Sequence, residues 1–182
     1  MEEVAIQGCL NQCEVREQEL TYLFETYYKR VYNCIYYRVH CQYVSEDLTS
    51  QVFEKIMLKL HTYKEERSNF EVWLFAIVRN VVNDYFRSKK KHQWISIDSI
   101  LHLKSASKEP EALIISRETS SELLEAIKVL EENERHLIAY KFGASLKNKE
   151  IAQILGMSES NVGVKLYRIM KKLKTKLEGE DE

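Results

Sequence analysis

Seven side chains near the C-terminus have the types and spacing needed to hold a polyanion: Ser160, Asn161, Val164, Lys165, Arg168, Lys171 and Lys172. Val162, Leu166, Ile169 and Leu173 interleave with them at intervals of three and four residues. On a helix that apolar set turns inward and forces the polar set outward. Short side chains at the start of such a helix can meet base edges in a major groove, while cations further along hold phosphates. Ser160, Asn161, Val164 and Lys165 are the expected readers. Arg168, Lys171 and Lys172 are the expected anchors.

The elements that must position them read as a helix-turn-helix over Asn148 to Lys172. Ile151, Ala152, Ile154 and Leu155 make a short first helix. Gly156 stands where a left-handed residue should end it, and glycine has no Cβ to strain there. Met157 can fill the angle between the helices, and Ser158 is a good cap for the second. Asn148 is the expected cap of the first, because Lys147 stands where a serine would serve. The competing reading is an ordinary pair of helices with a solvated basic face. The glycine, the serine cap and the charge pattern coincide, which favours DNA.

Apolar residues further upstream also step by three and four. Leu20, Leu23, Phe24, Tyr27, Val31 and Ile35 predict one amphipathic helix. Ser45-Glu46-Asp47 places a cap and acids at the start of a second, with Leu48, Val52, Phe53, Ile56, Met57 and Leu60 inward. His61 to Asn69 is polar and reads as a loop. A third helix follows, with Phe70, Trp73, Leu74, Ile77, Val78, Val81 and Tyr85 on its buried side, and it runs out in Arg87 to Lys91. Residues 92–115 lack helical period, include Pro110, and form a linker. Its Trp94, Ile95, Ile97, Ile100, Leu101 and Leu103 suggest that it docks on something. Period resumes at Leu123, Leu124, Ile127 and Leu130, and continues through Leu137, Ile138 and Phe142. The expected fold is all-α: two small helical domains, 1–91 and 116–182, joined by a flexible linker at 92–115.

With 45% hydrophobic and 30% charged residues, one Pro and five Gly, the composition is that of a globular, mostly helical chain. The net charge is -1, but it is segregated. Six Glu and one Arg fall in the first twenty-five residues, whereas Lys165 to Lys176 holds six cations and no anion. Such a chain can grip a polyanion while staying near neutral. There is no apolar leader and no membrane-length apolar run, which predicts a cytoplasmic protein. Cys9, Cys13, Cys34 and Cys41 lack zinc-motif spacing and are expected to be free thiols. No phosphate loop, metal-ligand array or nucleophile motif appears, so neither catalysis, nor a metal or cofactor, nor a small-molecule substrate is expected.

Phe70 to Arg87, FEVWLFAIVRNVVNDYFR, resembles the promoter-reading helix of sigma factor region 2. The matching positions are Phe70, Trp73-Leu74, Ile77, Arg79-Asn80 and Asp84-Tyr85-Phe86-Arg87. Glu46-Asp47-Leu48 with Phe53 resembles the polymerase-binding helix of the same region. Glu150-Ile151-Ala152 through Lys172 resembles region 4. The order and spacing of the two are those of the compact extracytoplasmic-function (ECF) sigma factors of the sigma-70 family.

The resemblance implies a bacterial factor that binds core RNA polymerase through its β′ and β subunits and directs initiation at particular promoters. The helix-turn-helix would read the -35 element and the N-terminal domain would capture the melted -10 strand. A flipped base must be paid for with a few kcal/mol of lost stacking. Its captor needs apolar walls, hydrogen-bonding groups and cations. Tyr63, Arg79, Asn80, Arg87, Lys89 and Lys90 are carried over as -10 contacts, with Asn80 on the flipped base. Phe70, Trp73 and Tyr85 are read as core. Glu46, Asp47, Leu48 and Gln51 are carried over as the polymerase-docking surface, with Phe53 inward. An anti-sigma factor, often membrane-borne, is also implied. Two departures stand out. Val44-Ser45-Glu46-Asp47 and Ser50-Gln51 thin the acidic docking surface, and Gly163 replaces a usual polar residue in the recognition helix.

Rival readings are a helix-turn-helix repressor or activator with a helical dimerisation domain, and an adaptor that docks on polymerase without directing initiation. The first predicts specific duplex binding by the protein alone.

Overall fold

The computed structural model describes residues 2–95, 126–127 and 129–178, and side chains for 20–91, 126–127 and 129–178. The chain begins with a long helix, α1 (Glu2–Val39), and turns through His40 in the left-handed region into α2 (Gln42–Lys59). A single 3-10 turn (Leu60–Thr62) and a polar loop lead to α3 (Phe70–Ile95). The described chain resumes at Ala126 and forms α4 (Glu132–Ile138), which widens into a π-helical turn (Ala139–Gly143). α5 (Asn148–Leu155) and α6 (Glu159–Glu178) follow. Among the described residues there is no strand. The all-α expectation holds. The linker expected at 92–115 lies mostly outside the described residues, and α3 runs to Ile95 rather than ending at Lys91.

Val31 and Ile35 from α1 are buried with Leu48, Val52 and Ile56 from α2 and Leu74, Phe75, Val78, Val81 and Val82 from α3. That core continues without a break into Ile127, Leu137, Ile138, Tyr140, Leu146 and Ile151, and on to Val162, Leu166, Ile169 and Leu173. α3 therefore buries more than the stripe its period predicts. Phe75 and Val82 go in as well, because the C-terminal helices cover a second side of it.

Several inward assignments are corrected. Phe24 packs on Phe53 at 4.9 Å between centroids but leaves its far side exposed. Met57 lies about 100° around the helix from Ile56, off the stripe of Leu48, Val52 and Ile56, and is exposed. Phe142 is also exposed. In the π turn Ala144 bonds back five residues to Ala139, so Gly143 takes the inward position that an α-helix would give Phe142. Ser45 does not cap α2. The helix starts at Gln42, and buried Ser45 donates to the carbonyl of Cys41 at 2.8 Å. Asn148 does not cap α5 either; it is the first helical residue and accepts from Lys141 Nζ. Glu150 instead reaches back to accept from the Lys147 N–H at 2.8 Å.

Two glycines of the C-terminal pair separate backbone need from helix propensity. Gly156 adopts φ 68°, ψ 39° with open space around its absent Cβ, so Gly156→Ala meets backbone strain alone. A loss of about 1–2 kcal/mol is expected. Gly163 lies inside α6, where a Cβ would meet only Asn148 Nδ2 at an ordinary 3.8 Å. Gly163→Ala should therefore stabilise the chain by up to about 1 kcal/mol. Urea denaturation of the two variants should shift the midpoint in opposite directions.

Candidate nucleic-acid interface

The C-terminal reader is built as a helix-turn-helix. α5 ends at Gly156, whose left-handed conformation redirects the chain, and the Met157 N–H bonds back to Ala152. Ser158 Oγ accepts from the Asn161 N–H at 3.3 Å and caps α6. Burial of Val162, Leu166, Ile169 and Leu173 turns Ser160, Asn161, Val164, Lys165, Arg168, Lys171 and Lys172 outward, and all seven are exposed. Lys172 is not a free cation. It pairs with Glu134 of α4 at 2.5 Å, and that hydrogen bond raises its pKa. Tyr167 and Met170 are exposed on the same helix.

The six candidate -10 residues do not form one surface. Tyr63, in the loop before α3, is half-buried with its ring 5.2 Å from Phe70 and 5.5 Å from Trp73. Its hydroxyl donates to the Ser68 carbonyl at 3.3 Å. Asn80, Asp84 and Arg87 share one exposed stripe of α3, at spacings of four and three, and Arg87 pairs with Asp84 at 3.2 Å. Lys89 lies 5.9 Å from the Tyr85 ring. Arg79 and Lys90 face the C-terminal helices, about a quarter turn from that stripe. Arg79 Nη1 donates to the Ile154 carbonyl of α5 at 2.8 Å, and Lys90 reaches Glu132 of α4 at 4.0 Å.

On α2, Glu46, Asp47 and Gln51 are exposed, and Gln51 Nε2 donates to Asp47 Oδ2 at 2.9 Å. Leu48 is 3% exposed and belongs to the core, so it offers no docking surface. The sequence reading missed the apolar part of this face: Tyr43, Met57 and Leu58 are exposed beside the polar pair. Phe24 and Tyr28 extend it along α1, where Tyr28, Tyr32 and Tyr36 stack in series. Aromatics four apart on α1 were the available signal.

One buried arginine and a half-buried imidazole lie where α1 and α3 meet α4. Arg38, from α1, is buried, donates to Asn83 Oδ1 at 3.1 Å and lies over the Phe86 ring. His136, on α4, has its pKa pushed down to about 3, by burial first and then by Arg38, Arg79 and Arg135. Glu132 stands 4.0 Å away, too far for a hydrogen bond. Tyr140 is buried beside Cys34, Arg38 and Arg79, and burial raises its pKa. An imidazole neutral when folded and protonated when unfolded loses the folded state stability as pH falls below about 6.5, until about 3. Between pH 7 and 5 that amounts to about 2 kcal/mol, at about 1.4 kcal/mol per pH unit. Urea denaturation at the two pH values should show the loss, and His136→Gln should flatten it. An equal slope in that variant would contradict the assignment.

The described residues contain no group of three or more His, Cys, Asp or Glu side chains placed to hold a metal. Burial pushes the Cys34 thiol up to about 12, so it is a poor nucleophile. The side chains of Cys9 and Cys13 lie outside the described residues. Among the described residues no helix is long and apolar enough to cross a membrane.

The family described as Sigma-70 region 2 matches residues 23–92, and that described as Sigma-70, region 4 matches residues 120–173. The chain is 28% identical over 151 residues to the ECF RNA polymerase sigma factor BldN of Streptomyces coelicolor, covering 83% of this chain and 57% of BldN. It is 26% identical over 170 residues to the ECF RNA polymerase sigma factor SigX of Bacillus subtilis, covering 89% of this chain and 85% of SigX. The fold is similar to that of the sigma factor RpoE in complex with the anti-sigma factor NepR from Bartonella quintana, with a TM-score of 0.65 at 20% identity over 89% of this chain and 96% of RpoE. It is also similar to CnrH in complex with the cytosolic domain of CnrY, with a TM-score of 0.62 at 16% identity over 90% of each chain. With both regions in order around an exposed recognition helix, the chain belongs to the extracytoplasmic-function group of the sigma-70 family, the RNA polymerase sigma factors of promoter-specific transcription initiation.

Proposed function

We propose a division of labour within this sigma factor that uses binding alone and no catalysis. Residues 1–91 dock on core polymerase and capture the melted -10 strand, residues 92–115 connect, and residues 116–182 read the -35 duplex. Asn80 holds the flipped base, with Arg87 on the same stripe of α3 along the strand; Tyr63 and Lys89 lie off that stripe, and Arg79 and Lys90 reach the strand only after leaving Ile154 and Glu132. Glu46, Asp47 and Gln51 meet the polymerase β′ subunit; Leu48 supports them from the core. Ser160, Asn161, Val164 and Lys165 read bases at -35, and Arg168, Lys171 and Lys172 hold phosphates. The chain works in the cytoplasm, where polymerase and promoter are. By its likeness to RpoE, which is bound by an anti-sigma factor, it is held by a partner of that kind.

The observation that carries this reading is the exposed Asn80–Arg87 stripe on α3 in the same chain as an exposed recognition helix. A duplex-binding repressor has no use for the first. Purified protein should associate with core polymerase and, with it, start transcripts at discrete sites on genomic fragments, while binding duplex DNA weakly alone. Tight, specific duplex binding without polymerase would favour the repressor reading.

A further inference from the structure

One cation of the recognition helix already has an anion on it. Lys165, Arg168 and Lys172 stand three and four residues apart on α6 and share one stripe. Across a groove of about 370 Å³, the start of α4 sets Glu131, Asn133 and Glu134 opposite that stripe. The Glu134 carboxylate is fixed at both oxygens. Oε2 accepts from the Glu131 N–H at 3.1 Å and closes the capping box of α4, while Oε1 accepts from Lys172 Nζ at 2.5 Å. Among the described residues, Lys165, Arg168 and Lys171 form no ion pair of this kind.

A carboxylate oxygen and a phosphate oxygen make the same charge-assisted bond to an ammonium. Glu134 therefore fills the seat that a backbone phosphate would take on Lys172. Its side chain is only 19% exposed, and the bond to the main chain holds it in place, so keeping the pair costs it little further freedom. Burial alone would raise its pKa, yet the hydrogen bonds from Lys172 and from the Glu131 N–H lower it, so the group is charged at neutral pH. The cap does not need that charge, because glutamine closes a capping box equally well. A negative charge beside the stripe that faces DNA opposes the polyanion.

We propose that Glu134 is a built-in competitor for the -35 backbone: it holds Lys172 off the phosphates and limits the affinity of the recognition helix for every promoter alike. This rests on the -35 reading above. Lys172 reaches a phosphate only in the fraction of chains in which it has left Glu134.

Glu134→Gln tests this, since it can keep the bond to the Glu131 N–H and loses the charge alone. The full chain, assembled with core polymerase, is titrated at several salt concentrations against a duplex genomic fragment from which the wild type initiates. Glu134→Gln should bind about twofold to fivefold more tightly at about 0.1 M salt. The slope of log affinity against log salt should steepen by up to about 0.9. In a Lys172→Ala background the same substitution should leave the slope unchanged. Weaker binding by Glu134→Gln, or an unaltered slope, would overturn the proposal. So would an equal gain with and without Lys172, which would mean diffuse repulsion rather than competition for one cation. Arg168→Ala in the same titration separates the two readings: if it leaves the slope unchanged, the -35 assignment falls, and this proposal with it. Should Glu134→Gln lose helical circular dichroism, Glu134→Asp decides by the same readings, because its shorter carboxylate can still cap α4 but is drawn back from Lys172.

Discussion

Asn80→Ala is expected to lower open-complex formation about tenfold to a hundredfold while leaving the affinity for core polymerase unchanged. Asn80 is exposed on α3 and is not needed for packing, so the variant should fold as the parent does. A side-chain amide making paired hydrogen bonds to a base contributes about 1–3 kcal/mol of discrimination, and about 1.4 kcal/mol is a factor of ten. The loss falls on the step in which the base leaves the stack, because only then are its edges free. Permanganate reactivity of -10 thymines would report it, and a filter-binding titration with core would report the unaffected step. Equal losses in both would mean that Asn80 serves docking or folding.

The double variant Arg168→Ala, Lys171→Ala is expected to weaken -35 binding for every promoter sequence alike. Both cations are exposed on α6, past the readers at its N-terminal end. Each lost phosphate contact removes about 0.9 from the slope of log affinity against log salt. A slope shallower by nearly two units, with relative promoter preference unchanged, is the expected signature. Asn161→Ala should instead change the preference and keep the slope. Lys172→Ala should do less than either anchor, because Glu134 already occupies its ammonium.

The C-terminal reader was legible because local signals agreed. Gly156, Ser158 and the stripe Val162, Leu166, Ile169 and Leu173 act within a few residues of one another, and period and capping rules operate at that range. The N-terminal bundle was legible to its inner stripe. At the stripe's edge, period cannot decide between neighbours: Leu48 went in with Val52 and Ile56, whereas Met57 and Phe24 stayed out. Phe142 was misplaced because the π turn adds a residue that no local residue type announces. The packing of Gly143 on Cys34 and the reach of Arg79 to Ile154 join positions 109 and 75 residues apart, respectively. A single sequence carries no periodic trace of such contacts. That is why Arg79 was legible as a cation beside Asn80 and not as a bond between domains.

Simultaneous chemical mapping of both promoter strands, with this chain and core polymerase on one linear template, tests the central claim most directly. The account predicts unpaired, reactive bases across -10 together with a protected, fully paired -35 element, and neither pattern when the chain or core is omitted. Protection at -35 with -10 still paired, or the full pattern produced by the chain without core, would contradict it.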